Sequence, residues 1–360
     1  MSFIPHLDYS QYRNWLLCPS MWYELQIHQR RRRWPSTLRD DPLAVGSLVH
    51  SGLQLWREKG EVGIPQKDID LIHPTKEALD SCYMMVMGYA KTYPQEEFKE
   101  ERCEIPLRFP LIEGMDGLAK VDNYFYVPSL TEVESGIEGV PLTLTPGWWI
   151  REYKTKSPSI DLSLWMKKWE VNQQASFQIL SLREKVKDDL REGVQGILIS
   201  IIEKPIIFIP KRKCKVCEIQ YEFGNWIPTL EGLHSCPICG NVQKLLKVKE
   251  DPSESPPKYY RMVVTRREET LRKDFRDFQD VALQIKLVKM KEEMALPSLQ
   301  ILNSLVWNKE LCVDTSHKKV CQYFEPHLNG RDTREMTDEF EEVEDYVGEL
   351  EKRDPLYSIP

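Results

Sequence analysis

Hydrophobic positions recur along this chain with two different periods, and the change from one to the other divides it. Near the start, Tyr12, Trp15 and Leu16 fall at helical spacing, with Ser10 placed to cap the helix and Pro19 to end it. Leu43 to Lys59 and Pro74 to Tyr93 keep the 3.6-residue period and predict two amphipathic helices, in the second of which Tyr83, Met84, Met87 and Tyr89 read as core. From Arg102 to Ile112 and from Gly117 to Val127 the pattern becomes that of strands, separated by the turn signal Glu113-Gly114-Met115-Asp116-Gly117. Pro128 to Pro146 is rich in Pro, Gly, Thr and Glu and reads as a loop. It leads into a short strand, Gly147 to Lys156, which Pro146-Gly147 punctuates. Asp161 to Glu192 then predicts a long helical stretch carrying Trp165, Trp169, Phe177, Leu180 and Val186. Gly196 to Ile209 is the most β-branched run, a buried strand or strand pair. Tyr259 to Thr265 reads as a further strand and Arg267 to Met294 as a charged helix. This order predicts an α/β or mixed α+β fold, and no internal repeat is present.

Composition narrows the class. A chain of 360 residues suits one large domain with insertions or two ordinary ones, and 41% hydrophobic with 29% charged residues is the profile of a globular protein. The net charge of −7 is uneven: from Arg331 onward there are 11 acidic and 4 basic residues, so the body before it is neutral. The overall acidity therefore does not argue against a polyanionic partner. The acidic tail, 331–360, reads first as a disordered appendage, with an autoinhibitory nucleic-acid mimic or a docking helix for a protein partner as alternatives. Arg30 to Arg33 reads first as a solvated face, with phosphate contact as the sharper option. The start of the chain lacks a basic segment followed by an apolar one, and the run Gly196 to Ile209 is broken by Glu203-Lys204-Pro205, so no membrane association is expected. Nine cysteines, four of them in Cys-x-x-Cys pairs, suit an intracellular metal protein better than a disulfide scaffold, and the expected location is cytoplasmic.

Several residues carry candidate chemistry. On a strand Glu152 and Lys154 emerge on one face, where a carboxylate can hold a divalent cation and an ammonium can stabilise charge on an attacked phosphate. Taken alone, such a pair is more often an exposed ion pair. The Tyr153 ring faces away from this pair. Asp122 sits amid Val121, Tyr124, Phe125 and Tyr126, where a carboxylate is costly unless paired or metal-bound. His50 lies between Val49 and Leu53 on a predicted helix, by itself an ordinary core or capping histidine, and Gln174 and Gln178 share a helix face. Cys214-x-x-Cys217 and Cys236-x-x-Cys239 have the spacing of a closed, structural four-cysteine zinc site. Cys82 and Cys103 read as buried small hydrophobes. Cys18, Cys312 and Cys321 are free thiols on spacing alone, and His327 follows Cys321 by six positions.

Together these stretches resemble the RecB-like branch of the PD-(D/E)XK nuclease superfamily, which includes CRISPR-associated and phage exonucleases. Leu7-x-Tyr9-Ser10 with Cys18-Pro19 resembles the N-terminal signature and Gly46-x-x-x-His50 the helix-borne histidine. Asp122 matches the carboxylate strand, Glu152-x-Lys154-Thr155 the Glu/Asp-x-Lys-Thr strand, and Gln174-Ala175-x-x-Gln178 the Gln-Ala-x-x-Tyr helix, with glutamine in place of its tyrosine. The matches run in the family's order from Leu7 to Phe324. The resemblance implies a restriction-endonuclease-like core, with a central mixed sheet flanked by helices, over 1–205 and 258–330. A zinc-ribbon-like insertion would occupy 206–257. It implies a metal-dependent DNA nuclease, an exonuclease on single-stranded or end-containing DNA in recombination, repair or replication. His50, Asp122, Glu152 and the Tyr153 carbonyl would bind Mg²⁺ or Mn²⁺, with Lys154 orienting the attacking water or stabilising the transition state and Gln174 placing the DNA strand. It further implies an iron–sulfur cluster or second metal on Cys18, Cys312 and Cys321, with His327 where a fourth ligand would stand. A reading from another class keeps the fold but not the turnover: a nucleic-acid-binding or assembly protein relying on the cysteine module and the tail.

Overall fold

A computed structural model describes residues 6–27, 30–32, 42–94, 98–191, 193–206, 211–217, 220–222, 227–229, 233–236, 238–244, 255–294, 301, 305, 313–314, 319–320 and 340–342. Strand β1 (His6–Asp8) runs directly into α1 (Tyr9–Leu17) and α2 (Pro19–Gln26). Asp8, not Ser10, caps α1: its carboxylate accepts the Gln11 N–H at 2.8 Å. Pro19 ends one helix and opens the next, because at the first helical position its missing N–H costs nothing. After β2 (Arg30–Arg32) come α3 (Pro42–Lys59), α4 (Gln66–Ile72) and α5 (Lys76–Thr92), the last capped by the Thr75 side chain.

The sheet begins with the long hairpin β3 (Lys99–Ile112) and β4 (Met115–Val127). The segment expected to be a loop holds a second hairpin, β5 (Thr131–Glu134) with β6 (Pro141–Leu144), whose short and mostly exposed strands carry little apolar pattern. Next are β7 (Gly147–Lys156), α6 (Leu162–Glu170), α7 (Gln173–Lys185) and β8 (Val194–Glu203). The stretch expected to form one long helix is thus two. Asn172 breaks it by capping α7, its side chain accepting the Gln174 N–H at 2.9 Å. Small strands follow: β9 (Lys211–Lys213) pairs with β10 (Gln220–Glu222), and β11 (Ile227–Pro228), β12 (Leu233–Ser235) and β13 (Val242–Lys244) form a three-stranded sheet. The chain then returns to the main sheet as β14 (Lys258–Val264) and continues as α8 (Glu268–Glu293). The remaining described strands are β15 (Val313–Asp314), β16 (Lys319–Val320) and β17 (Phe340–Glu342). β17 belongs to the acidic tail and pairs antiparallel with β2, setting Glu341 opposite Arg31 and Glu342 opposite Arg30.

The central sheet is mixed and runs β1-β4-β7-β8-β14, with β3 also paired to β4. β7 and β8 are parallel, joined across α6 and α7, and β14 returns antiparallel along β8. Trp148 and Ile150 of β7 point to one face, where Trp169, Ala175, Ile179 and Leu182 of α6 and α7 cover them. Tyr153 points to the other, into a cluster built by Leu48, Leu53 and Trp56 of α3 with Met85, Val86 and Tyr89 of α5. Phe177 extends the core towards α1, α2 and α8, against Tyr12, Trp22, Phe278 and Ile285. At the far end of β7 the buried Lys156 ammonium pairs with Glu203 at 2.7 Å and donates to the Ile160 carbonyl at 2.6 Å, fixing the turn into α6.

Gly147, at the head of β7, has φ +134°, and a Cβ there would lie 2.6 Å from the Gly193 carbonyl oxygen. Gly147→Ala is therefore expected to destabilise the fold by about 1–3 kcal/mol, read as a lower urea midpoint with an unchanged slope.

Candidate active site

The site arises where β4 changes partners. β3 covers one edge of β4 along nearly its whole length. The opposite edge is shared: β1 pairs with Asp116, Gly117 and Leu118, and β7 pairs with Asn123 to Val127. Residues 119–122 lie between these two pairings, and β7 beyond Arg151 has parted from β4. At this fork Asp122 Oδ2 accepts the Tyr153 N–H at 2.7 Å, so a side chain takes the hydrogen bond a neighbouring strand would otherwise take. A strand residue's N–H and C=O project to the same side, so the Tyr153 carbonyl also faces the fork. Its ring is buried on the opposite face with α3 and α5.

Four elements bring functional side chains to this point. From α3, His50 Nδ1 lies 3.1 Å from Asp122 Oδ1. From β7, Lys154 Nζ donates to Glu152 Oε1 at 2.5 Å. From α7, Gln174 Nε2 approaches the same oxygen at 3.4 Å, and Gln178 Nε2 donates to Oε2 at 2.9 Å. Glu152 is buried, whereas the His50 and Lys154 side chains each keep 24% of their surface exposed, so the cluster opens to solvent through its two cationic groups. Beside it, His50, Gln54, Arg57, Cys103 and Asp122 line a crevice. Cys103 is half-buried, not buried as expected, whereas Cys82 is fully buried as expected.

Electrostatics bind the cluster together. Burial opposes charge on Asp122, but the His50 charge and hydrogen bond, with Lys154 and the Tyr153 N–H, outweigh it and hold this carboxyl below its ordinary range. Glu152 goes the other way: burial, then the negative charge of Asp122, raise it despite Lys154. Burial also opposes charge on His50 and Lys154, and the two carboxylates outweigh it, raising both. The carboxylates of Asp122 and Glu152 and the imidazole of His50 are donor types that a hard divalent cation accepts. His50, Asp122 and Glu152 do not close to within 4.8 Å of one another, a closeness that among the described residues only the four cysteines reach. Glu152 is instead drawn towards Lys154 and the two glutamines.

The helix carrying those glutamines is itself fixed by a second polar network. Tyr9 Oη donates to Asn172 at 2.8 Å and Tyr12 Oη to Gln173 at 3.0 Å. Gln173 Nε2 donates to Asp274 at 3.0 Å, Ser176 Oγ donates to the other Asp274 oxygen, and Arg266 reaches Ser176 and the Trp169 and Asn172 carbonyls. Tyr9 of the N-terminal motif and Tyr12 beyond it thus act on α7. Asp274 and Arg266 were not singled out by sequence, because they lie in a helix and turn whose many charges resemble an ordinary solvated surface.

The four cysteines converge as their spacing predicts. Cys214 and Cys239 Sγ are 3.5 Å apart and Cys217 and Cys236 Sγ 3.7 Å, close to the ~3.8 Å edge of a tetrahedron with metal–sulfur bonds near 2.3 Å. The Val216 N–H points at Cys214 Sγ (3.4 Å), and Gly240, at φ +69°, closes the second turn. The backbone N–H of Cys217 is the main cause that lowers the Cys214 thiol to about 6. This group could hold a metal. Cys18 is buried at the α1–α2 junction. Cys312, Cys321 and His327 lie outside the described residues. No helix among the described residues is long and apolar enough to cross a membrane. Compared with protein-family models and with curated proteins, the sequence matches none.

The raised His50 value has a direct consequence for stability. Its contribution is fully present below the ordinary histidine value of 6.5 and is lost as pH rises through the higher folded value. In urea titrations from pH 6 to 9 without added divalent cation, the stability difference between wild type and His50→Gln should shrink as pH rises; a constant difference would refute the pairing.

Proposed function

We propose that this chain is a metal-dependent deoxyribonuclease of the RecB-like PD-(D/E)XK type, an exonuclease acting on single-stranded or end-containing DNA. The observation that carries this reading is the fork itself. It gathers His50, Asp122, Glu152, Lys154 and Gln174, drawn from a span of more than 120 positions in sequence, around one opening in the sheet. His50, Asp122, Glu152 and the Tyr153 carbonyl would hold the cation, which supplies Lewis-acid activation of water and of the scissile phosphate. Glu152 must turn from its present partners to join that set.

The chain's own groups have separable tasks. Lys154, kept as an ammonium by the two carboxylates, stabilises the negative charge that grows on the phosphate; removal of such a group typically costs about 10²–10³ in rate. His50 fixes the orientation of Asp122, and Gln174, at the helix edge of the cluster, places the DNA strand. The four-cysteine group is assigned a structural zinc ion, since all four positions are filled by protein thiols.

The alternative of a binding protein without turnover is favoured by one observation, the engagement of both Glu152 oxygens by Lys154, Gln174 and Gln178. Cleavage assays separate the two readings. With 5′- and 3′-labelled linear DNA, wild type should digest in Mg²⁺ or Mn²⁺, and Asp122→Ala or Lys154→Ala should lose at least 10²-fold in rate while melting as folded proteins. Binding without cation-stimulated digestion would establish the alternative. Elemental analysis should give one zinc per chain, lost in Cys236→Ser; retention of the metal there would refute the assignment.

A further inference from the structure

Gln178 is buried to 2% exposure inside the cluster, yet its two amide atoms are in unequal circumstances. Nε2 donates to Glu152 Oε2 at 2.9 Å, while Oε1, also buried, has no hydrogen-bond partner among the described residues. Only this orientation of the amide places a donor against the carboxylate; the reverse would set two acceptors face to face. An acceptor left unmet in the interior is expensive, and native structures meet such atoms with ordered water where the surroundings are polar. Lys154 and Gln174 direct their hydrogen bonds to Glu152 Oε1 and not to this atom.

We infer that Gln178 is a positioning residue for Glu152, its amide N–H fixing the carboxylate and its unpartnered carbonyl oxygen accepting a hydrogen bond from a water of the same site. This rests on the reading of the fork as a divalent-cation site. Gln178 touches neither cation nor phosphate. It limits the directions in which Glu152 can present its oxygens, and the water on Oε1 joins that restraint to the solvent of the site. Partners of this kind, one step removed from a metal, commonly set affinity by a factor of 10–100.

The test is calorimetric titration of Mn²⁺ into the full-length, zinc-loaded protein. Wild type should bind at a site that Asp122→Asn abolishes, and Gln178→Met, similar in shape but without either amide group, should bind about 10–100-fold more weakly. Ser181→Ala is the control for disturbance of α7: Ser181 is buried on the same helix but donates to the Phe177 carbonyl and not to the cluster, and its loss should leave affinity unchanged. Wild-type affinity in Gln178→Met, or an equal loss in Ser181→Ala, would overturn the inference with the cation site intact. Absence of an Asp122-dependent site in wild type would overturn the reading beneath it, and the inference with it. Should Gln178→Met fail to fold, the side-chain amide resonance of Gln178 in selectively labelled wild type decides the matter. It should move as Mg²⁺ is added, and a stationary resonance would refute the role.

Discussion

A single strand edge cannot serve two partners at the same residues, and the arrangement of this molecule follows from that constraint on β4. β1 takes the early part of the edge and β7 the late part, leaving Asp122 at the boundary with its side chain bonded to the Tyr153 N–H. Because β7 has already left β4 at that point, Glu152 and Lys154 emerge beside an opening and not over a closed sheet. The same divergence leaves room for His50 from one helical layer and for Gln174 and Gln178 from the other. Removing the fork would therefore disperse these groups even if every one of them were retained.

The carboxylates are tolerated there because the cluster is locally balanced. Asp122 and Glu152 face His50 and Lys154, and each shift in acidity follows from this opposition of signs inside a partly dry environment. Geometry is held from further out. Asp274 and Arg266 grip the start of α7 from one side and Tyr9 and Tyr12 from another, so the segments that follow the first and last strands of the central sheet meet on the helix that restrains Glu152. A connected, partly buried polar network of this kind specifies one arrangement of the helix at a cost an apolar contact would not incur.

Local signals in the sequence were sufficient wherever structure is locally decided. The bounds of β7 were legible because Pro146-Gly147 marks its start and a run of aromatic and β-branched residues fills it. The cysteine convergence was legible because two knuckle turns carry their own geometry. The break between α6 and α7 was not, since Val171-Asn172 contains neither glycine nor proline, although asparagine as a cap was the available sign. The β5–β6 hairpin escaped for the opposite reason, too few buried positions to make a pattern. At the site, the residue types at His50, Asp122, Glu152, Lys154 and Gln174 were readable, but their proximity was not. No local periodicity encodes a 3.1 Å contact between residues 72 positions apart. Gln178 illustrates the limit: its helix face was predictable, while its bond to Glu152 depends on how α7 is clamped.

The cysteine-bearing segment leaves the sheet at the end of β8 and re-enters it at the start of β14, and those two ends are neighbours. Glu203 stands opposite Lys258, and just beyond them Ile206 and Ser255 exchange backbone hydrogen bonds of 3.0 and 3.2 Å. To the core, therefore, everything between these residues is the loop of a β-hairpin, however large it becomes. The entropy of closing such a loop grows only with the logarithm of its length. A segment joined in this way can lengthen, shorten or be exchanged for another without altering the register of any strand that builds the fork.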